Sequence, residues 1–410
     1  MEGKKRDTGM TRREFVQTVG LAGLAAAVAG TPGALAATEK PGGTAPAQTM
    51  PKRKLGKTGV EVPILNLGCM LDTINNQLLL RQALKWGVTF WDTAEAYGDG
   101  LSEEGLGRFF ARNPGARKEV CLVTKLVPQG GDLTRRLEDC LKRLQTPYVD
   151  VFYIHAISGI DEMKPAYREW AGEMKRAGKF KFFGFSTHTN MEDCLLGAAR
   201  LDWIDVIMTT YNYQVMHSPK MQEAVQACAK AGIGLVAMKT QSGGPSEIKT
   251  QSEAELKMAN RFMERGFTDK QAKLKVVWET PQIASICSQM PNLTILAANV
   301  AAARDQTKLA REDLEAVRRY AQETSCDYCA GCGAICQAAV GGAVAVSEVM
   351  RCLMYHQSYG DPELARLTFA GLPEETWRRL TQVDYTRAEQ ACPNGLAIGR
   401  LMRRAEEIFA

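Results

Sequence analysis

The chain has 410 residues, of which 45% are hydrophobic and 24% charged. That is an ordinary soluble globular composition, with length for one large barrel and a smaller module. The formal net charge is +5, with no basic stripe carrying interleaved aromatics, so nucleic acid is not an expected partner.

The N-terminus reads as an export signal. Lys4, Lys5, Arg6, Arg12 and Arg13 stand against Glu2, Asp7 and Glu14, and Thr11-Arg12-Arg13-Glu14-Phe15-Val16 opens an apolar run to Ala29. Ala34-Leu35-Ala36 then supplies a small-x-small cleavage site. The paired arginines make residues 1–36 a twin-arginine signal, with the export machinery as partner and the periplasm as destination. The run is short and rich in Gly and Ala for a membrane span; left uncleaved, it would act as an anchor. Residues 37–51, rich in Thr, Pro, Gly and Ala, read as a linker.

From Lys52 the pattern becomes periodic. Arg53 to Pro63, with Lys57-Thr58-Gly59 at its middle, reads as a hairpin. Strand candidates follow at Pro63–Gly68, Val88–Ala94, Cys121–Leu126, Val149–His155, Lys181–Thr187, Val206–Asn212, Ile233–Lys239 and Ile283–Met290. Such near-continuous apolar runs suit strands buried on both faces. Amphipathic stretches at Gln77–Trp86, Leu133–Leu144, Met163–Arg176 and Lys220–Ala231 separate them. Eight strands alternating with helices predict an α/β fold, a closed (β/α)₈ barrel over 52–322. An open doubly wound sheet would want a Gly-rich phosphate turn after its first strand, and Gly68-Cys69-Met70-Leu71 is not one.

Catalytic groups in such barrels sit at the C-terminal ends of strands. Here the second, third and fourth strands end near Asp92, Lys125 and His155, one βα unit apart, with Tyr97 five residues into the loop after Asp92. A nearby ammonium at Lys125 is expected to lower the Tyr97 pKa. Asp92 would hold Lys125, His155 would orient a carbonyl oxygen, and Tyr97 would protonate it.

The segments Arg53-Lys54-Leu55-Gly56-Lys57-Thr58-Gly59, Phe90-Trp91-Asp92-Thr93-Ala94-Glu95-Ala96-Tyr97-Gly98, Ser102-Glu103-Glu104-Gly105-Leu106-Gly107 and Asp150-Val151-Phe152-Tyr153-Ile154-His155, in this order, resemble the aldo/keto reductases over Lys52 to Ala303. The resemblance implies hydride transfer between NAD(P)(H) and a small carbonyl or alcohol substrate, with Asp92, Tyr97, Lys125 and His155 catalytic. It also implies that Ser186 holds the nicotinamide carboxamide and that Asn299 lies near the adenine. Thr187, Met208 and Met238 depart from the family's usual Asn, Gln and stacking aromatic. Ser288, Gln289, Met290 and Asn292 replace the basic residues that grip the 2′-phosphate of NADP, so the NAD or NADP preference stays open. Lys239 is a candidate anion contact or a paired lysine. Trp91, Tyr211 and Tyr213 line the pocket or pack the core, and His188 is a weaker candidate for the site. His217 and His356 carry no motif. The loop from Gln241 to Arg265 is expected to set specificity and close over the cofactor.

Seven of the twelve cysteines are scattered singly and read as buried small hydrophobes. Cys326-x₂-Cys329-x₂-Cys332-x₃-Cys336 has bacterial ferredoxin spacing. Cys336 lacks the following Pro, whereas Cys392-Pro393 stands far downstream. The expected module, 323–410, therefore holds one [4Fe–4S] cluster on Cys326, Cys329, Cys332 and Cys392, with Cys336 left over. A set ending in Cys336, and zinc or disulfides, stay open as alternatives. The cluster is structural or serves an electron-transfer partner. A second function from another class is an exported electron-transfer or binding protein built on an idle barrel.

Overall fold

The computed structural model describes residues 49–129, 131–241, 261, 266–305, 307–325 and 328–409. The export signal, most of the linker, nearly all of the Gln241–Arg265 loop and Cys326 lie outside the described residues.

A two-stranded antiparallel hairpin comes first, β1 (Lys52–Lys54) and β2 (Glu61–Pro63). Then come β3 (Leu65–Gly68), β4 (Phe90–Asp92), β5 (Cys121–Leu126), β6 (Val149–Ile157), β7 (Phe180–Thr187), β8 (Val206–Thr210), β9 (Gly234–Met238) and β10 (Ile283–Gln289). They pair in chain order, all parallel, and β10 closes onto β3. Each predicted strand is present, with ends within about two residues of expectation. Between them lie helices such as Gln77–Lys85, Leu133–Arg143, Pro165–Arg176 and Pro219–Lys230.

Strands covered on both faces divide their side chains between two cores. Phe90, Val123, Val151, Tyr153, Val206, Met208 and Val236 fill the barrel interior, joined by Leu55 and Val62 of the hairpin. Trp91, Leu122, Phe152, Phe183 and Ile207 face the helices. The hairpin seats beneath β9 through Lys57 N donating to Gly232 O at 2.6 Å. Gly56, at φ +56°, allows this approach: a Cβ there would lie 2.3 Å from Gly234 N.

The described residues from Gln48 onward form one compact unit. Within it, the helices after Gly333 share a core of their own, including Val349, Met350, Leu353, Phe369, Leu380, Leu401 and Met402. These helices dock on the C-terminal ends of β7, β8 and β9. Asn190 N donates to Gly331 O at 2.7 Å. Thr189 Oγ1 donates to Glu348 Oε1 at 2.9 Å, Asn212 Nδ2 to Tyr328 OH at 2.8 Å, and Lys239 Nζ to Tyr355 OH at 3.1 Å. The C-terminal part of the chain thereby walls the mouth above three of the eight barrel strands. Among the described residues no helix is long and apolar enough to cross a membrane.

Candidate active site at the barrel mouth

Adjacent strand ends bring Asp92, Lys125 and His155 together, and the turn after β4 returns Tyr97 over them. Lys125 Nζ donates to Asp92 Oδ1 at 2.6 Å, to Thr93 O at 2.8 Å and to Tyr97 OH at 3.1 Å. The ammonium thus uses all three donors. The Asp92 and Lys125 side chains are only 2% and 1% exposed. The His155 ring meets Tyr97 edge-on with centroids 5.8 Å apart. Among the described residues, its Nδ1 and Asp92 Oδ2 have no hydrogen-bond partner.

Burial and charge set the protonation states. Burial opposes the Lys125 ammonium, but Asp92 more than offsets this and keeps it protonated. Burial raises the Asp92 carboxyl, with Lys125 pulling it back. Tyr97 departs from the sequence expectation: burial pushes it up to about 12, and Lys125 only moderates the rise. Desolvation outweighs the ammonium because the phenolate would be enclosed. Tyr97 is therefore a protonated phenol throughout the neutral range. His155 is held well below its usual value by burial, and by the cations Lys125, Arg351 and Lys239, so it is neutral and has one N–H to give.

Two features were not foreseen. The Cys287 thiol of β10 lies beside the Asp92 carboxylate, although a single cysteine in an apolar strand reads as core. Glu103, fully buried, accepts from Thr124 Oγ1 at 2.5 Å and from Arg143 Nε at 2.7 Å. Ser102 joins Thr93 at 2.7 Å and donates to Cys69 O at 2.6 Å. The Ser-Glu pair thus anchors the Leu101–Arg112 helix behind β4 and β5, which fixes the Tyr97 turn.

Ser186 is at the end of β7 and accepts from Ala156 N at 2.9 Å, keeping its own O–H to donate. Asn299 is 2% exposed and donates to Ser288 Oγ at 3.1 Å; Ser288 in turn donates to Gln241 Oε1 at 2.8 Å. Met208 and Met238 are buried in the barrel interior. Trp91 packs on Phe109 and Phe110, and Tyr211 and Tyr213 are buried, Tyr213 being stacked on Tyr320. All three serve packing. His356 packs edge-on against Phe409, and His217 Nε2 has no hydrogen-bond partner among the described residues. His188 accepts or donates at Thr210 Oγ1, 3.3 Å away, and lines a cavity between barrel and C-terminal helices.

In the C-terminal helices, Cys329, Cys332, Cys336 and Cys392 line a second cavity, walled by Ile335, Val346, Met350, Leu396 and Ile398. The thiols sense one another: burial, then Cys392 and Cys336, push Cys332 up to about 11. Cys336, expected to be left over, faces the same cavity as Cys392. Among the described residues no three His, Cys, Asp or Glu side chains form a group ready to hold a metal ion.

The aldo/keto reductase family model matches residues 72–328, which is well over half of the chain and holds all four mouth residues. The chain belongs to the aldo/keto reductase family. It is an oxidoreductase of the NAD(P)-dependent type. "Aldo-keto reductase yakc [NADP(+)]" of Schizosaccharomyces pombe is 33% identical over 162 residues, covering 34% of this chain and 46% of that protein. The "Uncharacterized oxidoreductase YrpG" of Bacillus subtilis is 26% identical over 268 residues, covering 55% of this chain and 81% of that protein. The holo form of aldo-keto reductase AKR11C1 from Bacillus halodurans superposes with a TM-score of 0.53 at 22% identity, covering 66% of this chain and 96% of that one; this likeness concerns the fold.

Proposed function

We propose that the barrel interconverts a small carbonyl compound and its alcohol with a nicotinamide nucleotide. The observation that carries this is Lys125 bonded at once to Asp92 and Tyr97, with neutral His155 against the Tyr97 ring. The nucleotide, when bound, supplies the hydride. His155 donates its N–H to the carbonyl oxygen and fixes the direction of approach. Tyr97 passes its proton to the oxygen as negative charge develops there. Lys125 then stabilises the phenolate left behind, and Asp92 keeps Lys125 charged and aimed.

The residues present fit a nicotinamide. Ser186 retains a hydroxyl proton for a carboxamide oxygen, and Asn299 with Gln241 offers amides beside the last strand. The fission-yeast relative's name carries NADP(+). In this chain Ser288, Gln289, Met290 and Asn292 supply no cation for a 2′-phosphate, so these positions give no support to a preference for NADP.

The second part of the proposal is one [4Fe–4S] cluster in the C-terminal helices. Its support is the ferredoxin spacing and a cavity lined by four thiols together with Ser347 and Asn394. Thiols are the donors such a cluster takes, but among the described residues they are not gathered into a metal-holding group; Cys329, Cys332 and Cys392 would hold three corners on closing around it. Cys336 joins Cys326 as candidate for the fourth because it lines the cavity. The test is the visible absorbance of the purified chain. Cys392→Ser is expected to lose it, and of Cys326→Ser and Cys336→Ser the variant that keeps it identifies the non-ligand. Retention in Cys392→Ser would refute the proposed set. The twin-arginine signal further leads us to propose that the folded, loaded chain is exported to the periplasm. Its substrate is then a small periplasmic carbonyl, and the cluster would serve structure or an electron-transfer partner.

A further inference from the structure

Beneath the tetrad of Asp92, Tyr97, Lys125 and His155, the barrel interior holds further polar atoms. Asn66 Nδ2 and Oδ1, Tyr153 OH and Asp92 Oδ2 are buried and have no hydrogen-bond partner among the described residues. Asn66 and Tyr153 are fully enclosed, and Asp92 is 1% exposed. Buried polar groups of folded proteins are paired as a rule, with protein or with ordered water.

The strand register shows where these atoms lie. Strands of a closed barrel are staggered, so interior side chains form layers drawn from alternate strands. Asp92 pairs with Val123, and Val123 with Val151; Tyr153 stands two residues above Val151. Tyr153 pairs with Gly184, and Gly184 with Val206; Met208 stands two above Val206. Met208 pairs with Val236, and Val236 with Ser285; Cys287 stands two above Ser285. Cys287 pairs with Asn66, and Gly68, two above Asn66, pairs with Asp92. The ring closes, so Asp92, Tyr153, Met208 and Cys287 form one layer. By the same stagger Asn66 belongs to the layer beneath, with Val123, Gly184 and Val236.

Two glycines shape this region. Gly184 brings no side chain to the lower layer, which leaves room beside Asn66. Cys287 Sγ lies 3.1 Å from the point a Cβ on Gly68 would occupy, which sets the thiol beside Asp92, the partner of Gly68. A thiol is a weak donor, and Asp92 Oδ2 makes no hydrogen bond to it. Burial holds the Tyr153 hydroxyl protonated. A hydroxyl and an amide with donors to give thus stand around a carboxylate oxygen that has none.

We infer that the barrel interior binds internal water, which joins the Tyr153 hydroxyl and the Asn66 amide to Asp92 Oδ2, and that Tyr153 is a positioning residue acting on the reaction through Asp92. A buried water makes two to four hydrogen bonds, which is what four unpaired atoms in two adjacent layers call for. Lys125 holds Asp92 Oδ1 from above. With Oδ2 held from within, both carboxylate oxygens are fixed, and the Lys125 ammonium stays aimed at Tyr97. The kinetic part of the inference rests on the carbonyl-reductase proposal; the water site does not.

The water site is tested by a crystal structure of the full chain, at a resolution that shows ordered water. A water within hydrogen-bond distance of Asp92 Oδ2 and of Tyr153 OH or the Asn66 amide is expected. A dry layer, or Tyr153 OH bonded directly to Asp92, overturns the inference. The positioning role is tested by single-turnover carbonyl reduction with the holoenzyme, in wild type, Tyr153→Phe, Asp92→Asn and the double variant, each with a nucleotide titration. Tyr153→Phe removes one hydroxyl and keeps the ring that fills the layer. The rate of the chemical step is expected to fall about 10-fold, the size of one hydrogen bond to a charged group, with nucleotide affinity unchanged. In the Asp92→Asn background the same substitution should change the rate by less than about 2-fold. Equal effects in the two backgrounds, or an unchanged rate in Tyr153→Phe, overturn the positioning role while leaving the carbonyl chemistry standing. If wild type turns over no carbonyl, the proposed function fails, and the water site is judged by the crystal structure alone.

Discussion

Replacing Lys125 by Met leaves the Asp92 carboxylate and Thr93 carbonyl without their shared donor, in a place where both charged side chains are at most 2% exposed. Stranding one partner of a buried pair costs about 3–5 kcal/mol. The variant can escape by protonating Asp92, which from a free value near ~3.9 costs about 4 kcal/mol at pH 7 and about 1.5 kcal/mol at pH 5. The two routes bracket the same penalty at neutral pH. Because the folded variant would then bind a proton that the unfolded chain does not, its stability relative to wild type should improve as pH falls from 7 to 5. Adding Asp92→Asn removes the stranded charge, so the double variant should be more stable than Lys125→Met alone. The assay is guanidinium unfolding followed by tryptophan fluorescence; Trp91, beside Asp92 and packed on Phe109 and Phe110, reports on the region. A loss below about 1 kcal/mol, or additive effects of the two substitutions, would refute an energetically coupled pair.

With Tyr97 raised to about 12, the phenol needed for reduction is present through neutral pH. The rate of carbonyl reduction should therefore stay level up to pH 9, whereas alcohol oxidation, which needs the phenolate, should climb with pH; a fall in reduction centred near pH 7–8 in initial-rate profiles would contradict this. Gly184 on β7 lies so close to β8 that a Cβ would come within 1.7 Å of Val206 O. Gly184→Ala should cost roughly 1–3 kcal/mol or more by prising the strands apart. Gly172→Ala, on the open face of the Pro165–Arg176 helix, should stabilise by roughly 0.5–1 kcal/mol. Equal melting temperatures for the two variants would show that the barrel wall yields at Gly184.

The barrel was legible because its strands are largely buried on both faces, so Val149–His155 and Lys181–Thr187 stand out as near-continuous apolar runs, broken only by a few polar residues such as Asp150 and Lys181, between amphipathic helices. The tetrad was legible for a related reason. One βα unit separates Asp92, Lys125 and His155, and parallel pairing turns that spacing into adjacency. Three things needed the structure. The Tyr97 shift depends on how completely the turn is enclosed, which spacing does not encode. Cys287 reaches Asp92 only because β10 closes onto β3, bringing together residues nearly 200 positions apart. Arg351 lies on an amphipathic helix where an arginine reads as a solvated face; its place at the mouth depends on docking contacts such as Thr189 to Glu348, 159 residues apart. The same packing brings Cys336 into the cavity of Cys329, Cys332 and Cys392, where sequence spacing and the missing proline had set it aside.

The central claim is that Tyr97 delivers the proton at a nicotinamide-dependent carbonyl site. The most direct measurement is single-turnover reduction by Tyr97→Phe, alongside nucleotide titration of the same preparation. Loss of one hydroxyl removes a general acid, worth about 10²–10⁴ in rate, while the phenyl ring keeps its contact with His155 and leaves the nucleotide's own contacts in place. The account predicts a fall in the chemical step of that size with nucleotide affinity within about 2-fold of wild type. An unchanged rate of reduction in Tyr97→Phe, with the nucleotide bound as before, would contradict it.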